Sequence, residues 1–229
     1  MRHADILVIT PHPDDAEFGV AGTIARQVQR GKQAVYVVCT DGGKGTSDIG
    51  MKPEQLAEIR KKEQIAAAEV LGVNEVIFLG YPDQGLEDTS EFRKKIVRLI
   101  RQYQPRTVVT ADPYRRYVWH RDHRITGQTV LDAVFPYARD YWAYPDLTAE
   151  GLAPHKVEEL LFWAAEDINY RTDITSVFDL KLAALRCHQS QMQEMDVPDL
   201  EKWLKARCRT LAQGEDFELG EAFHRVELT

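Results

Sequence analysis

Two short segments of this sequence carry side chains whose types and spacing can do chemistry. The first is Pro11-His12-Pro13-Asp14-Asp15 and the second is His120-Arg121-Asp122-His123. In the first, an imidazole and two carboxylates share a turn that prolines restrict on both sides of His12. In the second, two imidazoles three residues apart share a face if the segment is helical. Two carboxylates beside three histidines are costly to assemble unless a cation neutralises them. Nitrogen and oxygen donors without thiolate suit zinc in a catalytic site, where three protein ligands leave a position for water. Adjacent residues of a tight turn point in different directions. One of Asp14 and Asp15 can therefore ligate the metal while the other faces the water as a general base. Taken singly, each segment has a plainer reading, such as Asp14-Asp15 capping the next helix.

The elements around these segments give the reason to join them. Ile6-Leu7-Val8-Ile9, Ala34–Cys39, Val76–Leu79 and Thr107–Thr110 are apolar, largely β-branched runs, and Leu160–Trp163 is a fifth. Helical patterns separate the first four: Ala21–Arg30 stopped by Gly31, Pro53–Leu71 closed by Gly72, and Glu91–Tyr103 ended by Pro105. On the second helix Leu56, Ile59, Ala66 and Val70 form the expected core face. Further helices are expected over Asp122–Phe135, Val177–His188 and Leu200–Gln213. Strands this uninterrupted suit a parallel sheet covered on both faces. The expected fold is α/β, a Rossmann-like doubly wound, mostly parallel sheet of order 3-2-1-4-5 flanked by helices, with residues 1–229 forming a single domain. In that order strands one and four are neighbours at the topological switch point, so the two segments share one crevice. A dinucleotide-binding chain would carry G-x-G-x-x-G after strand one. Two carboxylates there repel a pyrophosphate and exclude that reading.

Composition closes off other classes. The chain has 229 residues, with 36 acidic against 29 basic side chains and a net charge of −7. No general nucleic-acid partner is expected from that balance. No apolar run approaches a membrane span, and Pro11 ends the N-terminal apolar stretch too early for a signal peptide. A cytoplasmic location follows as the expectation. Cys39, Cys187 and Cys208 are odd in number and far apart, so a disulfide framework and a thiolate zinc site are both disfavoured.

The two segments resemble the motifs of a known family. Pro11-His12-Pro13-Asp14-Asp15-Ala16-Glu17 is similar to the (A/P)-H-P-D-D-x-E signature of LmbE-like, or PIG-L, zinc-dependent N-acetylglucosaminyl deacetylases. His120-Arg121-Asp122-His123 resembles that family's H-x-D-H motif. Thr40–Thr46, the Arg60/Glu63 pair, Leu71-Gly72-Val73 and His188-Gln189-Ser190-Gln191 resemble further elements, in order along most of the chain. The resemblance implies a Rossmann-like fold and one zinc per chain held by His12, Asp15 and His123. It implies Asp14 as general base, and His120 as acid or electrostatic partner with Asp122 hydrogen-bonded to it. The implied reaction removes the acetyl group from an N-acetylglucosamine-containing small molecule, leaving acetate and a free 2-amino sugar. An amidase acting on another small amide, such as a thiol conjugate, is the alternative, with a non-catalytic metal- or sugar-binding module behind it. Arg121 stands where many members have proline.

Candidate contacts to an N-acetylated amino-sugar substrate are Arg60, His188 and Trp119. Each has a structural counterpart: a surface pair of Arg60 with Glu63, a packed His188, a core aromatic at Trp119. Tyr117 and Trp142 are further stacking candidates, and the Gly-rich segment Thr40–Gly50 is expected as a mobile rim or a flexible linker. The chain is expected to form a homo-oligomer.

Overall fold

The computed structural model describes residues 3–195 and 197–228. The chain runs β1 (Ile6–Thr10), α1 (Asp15–Gly19), α2 (Ala21–Gln29), β2 (Ala34–Thr40), α3 (Pro53–Leu71), β3 (Glu75–Tyr81), α4 (Ser90–Tyr103) and β4 (Thr107–Ala111). It continues with α5 (Arg121–Asp132), α6 (Pro145–Ala149), β5 (Glu159–Trp163), β6 (Tyr170–Asp173), α7 (Phe178–Arg186), α8 (Gln189–Glu194), α9 (Leu200–Leu211) and β7 (Gly220–Glu227).

The strands form one sheet of order β3-β2-β1-β4-β5-β7-β6. From β3 to β5 every neighbouring pair is parallel, as the apolar runs predict. The register sets Ile6 beside Ala34 on one side and Thr107 on the other. β7 returns antiparallel to β5, and β6 pairs antiparallel with β7 at the edge. These two strands were not expected. Gly220–Glu227 mixes apolar and charged residues without a continuous apolar run and Tyr170–Asp173 is short and polar, so neither carries the buried-strand signal.

The period of two along each strand explains the unbroken apolar runs. Ile6, Val8, Tyr36 and Val109 face a core shared with Ile24, Ala67, Leu182 and Leu204. Leu7, Ile9, Val35, Val37 and Val108 face a second core with Phe92, Ile96, Ile100 and Val130. One expected face is corrected here. On α3, Ile59 is exposed and so is Ala66, while the buried residues include Leu56, Arg60, Gln64, Ala67, Ala68 and Leu71. The helix turns two polar side chains inward, for a reason that lies at the sheet rim.

Candidate active site

β1 delivers its C-terminal turn to the rim, and the turn is held on every side. The backbone N–H of His12 donates to Asp15 Oδ2 at 2.8 Å. Asp14 takes a left-handed conformation with φ 91°, costly for a residue with a Cβ. Its N–H donates to Gln64 Oε1 at 3.0 Å. Arg60 enters from α3, only 3% exposed, and donates to the carbonyls of Pro13 (2.5 Å) and Gly42 (2.8 Å). Its Nη2 stands 3.3 Å from Asp14 Oδ2. Glu63 does not pair with Arg60. It accepts from Ser190 N and Oγ at the start of α8.

The Gly-rich segment is fastened, in contrast to the mobile rim or linker expected. Lys44 N–H donates to Asp83, Gln191 to the Gly45 carbonyl, and Thr46 and Ser47 to Glu194. Two of its glycines answer to the buried guanidinium: a Cβ on Gly42 or Gly45 would lie 2.6 or 2.5 Å from Arg60 Nη1.

The second segment opens α5 beside this turn, as the switch-point argument requires. His123 Nε2 meets Asp15 Oδ1 at 2.8 Å, and His12 Nδ1 lies 3.3 Å from Asp15 Oδ2. The His12 ring centroid is 4.6 Å from that of His120 and 5.1 Å from that of His123. Donor atoms of His12, His120 and His123 fall within 4.8 Å of one another, and so do those of His12, Asp83, His120 and Asp122. Asp83, in the loop after β3, is a member that the sequence did not reveal. A single carboxylate in a loop has no motif partner to mark it.

Asp122 requires a correction. Its carboxylate does not bond His120. It accepts from Gln84 N–H at 2.7 Å and Leu86 N–H at 3.3 Å, and reaches His12 Nε2 at 3.3 Å. The contact with His120 is made by the Asp122 backbone N–H, which donates to His120 Nδ1 at 3.1 Å. That bond leaves the other ring nitrogen, Nε2, to carry the proton of a neutral imidazole. His188 is corrected too. It is fully enclosed, 3.1 Å from Glu17, and does not reach the crevice. Trp119 lies 4.4 Å from the His123 ring, with the Arg115 guanidinium 4.5 Å over its own ring. Its indole N–H donates to the Asp112 carbonyl, which makes it a wall behind His123. Tyr117 and Trp142 are largely exposed.

The electrostatics describe a place that needs a positive charge. Burial alone would lower the His12 pKa, but hydrogen bonds to Asp122, Asp15 and Asp83 raise it well above the usual value. Asp15 is held well below the carboxylate range by His123 and His12, against its burial. Asp83, also resisting burial, is held at about 2 by His12. Burial pushes Asp14 up to about 6, with Arg60 pulling the other way. His120 is lowered by burial and by the charges of His12 and His123. A proton on His12 thus faces three carboxylates, Asp83 Oδ1 among them at 3.2 Å, while His123 Nδ1 is buried with no hydrogen-bond partner. This donor set fits a divalent cation, which neutralises carboxylates without protonating the imidazoles.

Comparison with known proteins agrees with this fold. Residues 7–134 match the family model described as PIG-L, GlcNAc-PI de-N-acetylase. The chain is 39% identical over 189 residues to the diacetylchitobiose deacetylase of Thermococcus kodakarensis, covering 82% of this chain and 70% of that protein. It is 31% identical over 199 residues to a probable N-acetyl-alpha-D-glucosaminyl L-malate deacetylase 2 of Bacillus cereus, covering 85% of this chain and 86% of that protein. Among solved structures it is similar to the N,N'-diacetylchitobiose deacetylase of Pyrococcus horikoshii in complex with its inhibitor MPG. That match has a TM-score of 0.90 at 32% identity and covers 98% of this chain and 84% of the other. The chain belongs to the PIG-L family.

Proposed function

We propose that this member of the PIG-L family is a metal-dependent N-deacetylase. Its substrate would be a small N-acetylglucosamine-containing molecule, and its products acetate and a free 2-amino sugar. The observation that carries the reading is that Asp15 touches both His12 and His123, whose ring nitrogens come within 4.8 Å of one another and of His120, with the next carboxylate, Asp14, held by Arg60. The names of the relatives support the substrate class. A divalent cation, zinc by the preference of nitrogen and carboxylate donors, would be held by those three residues and would supply an acidified water and a Lewis acid for the acetamide carbonyl.

The remaining work falls to the chain's own side chains. Asp14 accepts the proton of the attacking water. An Asp14 pKa near 6 suits a group that must take a proton near neutrality and give it back to the leaving amine. Arg60 holds that carboxylate in place. His120, neutral and protonated at Nε2, donates a hydrogen bond to the oxygen that gains charge as the carbonyl is attacked. The Asp122 carboxylate, turned toward His12, makes no hydrogen bond that would hold a second proton on His120.

The test is acetate release from a panel of N-acetylglucosaminyl compounds and thiol-conjugate amides, with and without chelator, for the parent and Asp14→Asn. We expect release from the amino-sugar compounds, abolished by chelator, with about one zinc per chain. Zinc-loaded Asp14→Asn should be slower by roughly 10²–10⁴-fold. Undiminished turnover in that variant would remove Asp14 as the base, and release only from other amides would overturn the substrate class.

A further inference from the structure

Asp14 needs a holder, because its left-handed backbone (φ 91°) is strained and persists only where the surroundings determine it. Its carbonyl accepts from the N–H groups of Glu17 (2.9 Å) and Phe18 (3.1 Å), opening α1. Its N–H has one partner, the side-chain oxygen of Gln64. Gln64 is fully buried on α3, and its amide nitrogen lies 3.1 and 3.2 Å from the two oxygens of Glu17. A carboxylate only accepts, so Glu17 decides which end of the Gln64 amide faces it and leaves the oxygen for Asp14. Glu17 is itself fully buried and is held by His188 Nε2 at 3.1 Å.

We propose that His188, Glu17 and Gln64 form a buried chain of positioning residues that sets the backbone, and hence the carboxylate, of Asp14. Glu17 and Gln64 have no part in metal or substrate binding, His188, expected from the sequence as a substrate contact, is fully enclosed, and the inference rests on the reading of Asp14 as the base. It also accounts for the inward turn of Gln64 on α3 and for the late His188 motif, which closes the far end of the chain.

The experiment uses the full-length, zinc-loaded protein well below its melting temperature. Gln64→Met removes both hydrogen bonds with little change in volume. It should lower kcat by up to about 10²-fold, the scale of a roughly 1 Å misplacement, with zinc content and KM unchanged. Gln64→Glu sets two carboxylates together and should be equally slow. Adding Glu17→Gln exchanges the partners: the residue-17 amide then donates to the residue-64 carboxylate, whose other oxygen accepts from Asp14 N–H. This double variant should recover most of kcat. Separately from turnover, hydrogen exchange at the Asp14 amide should quicken about tenfold in Gln64→Met, the worth of one hydrogen bond. Parent-like kcat and parent-like exchange in Gln64→Met would overturn the chain, as would an exchanged pair no faster than Gln64→Glu. A parent that releases no acetate would sink the proposed function instead, and the exchange measurement would still decide the geometry.

Discussion

The short helix α1 lies between two clusters of buried charge that are built on opposite plans. Beyond its C-terminal end, the Lys181 ammonium donates to the carbonyls of Glu17 and Phe18 and to Glu221 Oε1, at 2.6–3.0 Å. Glu221 in turn accepts from Gly22 N–H, Thr23 N–H and the Thr23 hydroxyl at the start of α2. Every charged atom there has its partners. At the N-terminal end of α1, His12 faces three carboxylates, and His123 Nδ1 is buried with no hydrogen-bond partner. Buried charge that only holds elements together is satisfied within the chain, whereas a cluster left short of partners is arranged for something the chain lacks.

The largest effect expected from this contrast is on stability, measured by urea unfolding in the presence of chelator. Glu221→Gln puts an amide NH2 against N–H donors and strips the charge opposite Lys181, and should cost about 3–5 kcal/mol. Asp83→Asn is the same change of group at the other cluster. Its oxygen can still accept from Lys44 N–H, and only the charge-assisted contact with His12 is weakened, so the loss should be smaller, about 1.5–3 kcal/mol. Equal losses would erase the distinction between the clusters.

The two plans were unequally legible in the sequence. His12, Asp15 and His123 could be brought together because apolar strands fix the order of the sheet, and the order fixes which loops meet. The direction of a side chain leaving a helix start is a finer matter. Asp122 reads as a neighbour of His120, but two residues into α5 its carboxylate points at His12 and the loop after β3. Arg60 reads as one of a surface pair because Ile59 and Ala66 look like the buried face of α3. Only the packed rim shows why that helix rolls to bring Arg60 and Gln64 inward. Lys181 and Glu221 gave no signal, since a lone charge in an apolar helix or strand looks like a solvent-facing position until its partner, 40 residues away, is known.

A smaller effect separates the parts within the unsatisfied cluster, read as zinc affinity by competition with a chelating dye. Asp122→Asn should weaken zinc binding roughly 10–100-fold, the usual worth of a carboxylate that orients a metal-binding histidine. His120→Ala should leave affinity near that of the parent and lower kcat, while His123→Ala should lose the metal. If Asp122→Asn binds zinc normally and instead moves the pH–rate profile, its carboxylate serves His120 after all.

The smallest effect is a pH dependence, and it tests whether the chain behind Asp14 belongs with the satisfied plan or the unsatisfied one. Burial lowers the His188 pKa, but the hydrogen bond and charge of Glu17, joined by Asp14 and Glu63, outweigh it and leave the pKa raised. A histidine raised on folding stabilises the native state fully below its unfolded pKa of about 6.5, and that contribution fades as pH rises through the folded value. Unfolding free energy should therefore decline from neutral pH upward in the parent. In His188→Gln, where the amide can still donate to Glu17 but cannot titrate, this component should be missing. The quantity to measure is the difference between the two stability curves between about pH 6 and pH 9. A difference that narrows with rising pH means that Glu17 is met by a titrating charge, so that the positioning chain is held most firmly while His188 is protonated. A flat difference means that a neutral imidazole serves equally well, and the charge on Glu17 is then balanced by Gln64 and the carboxylate's remaining surroundings alone.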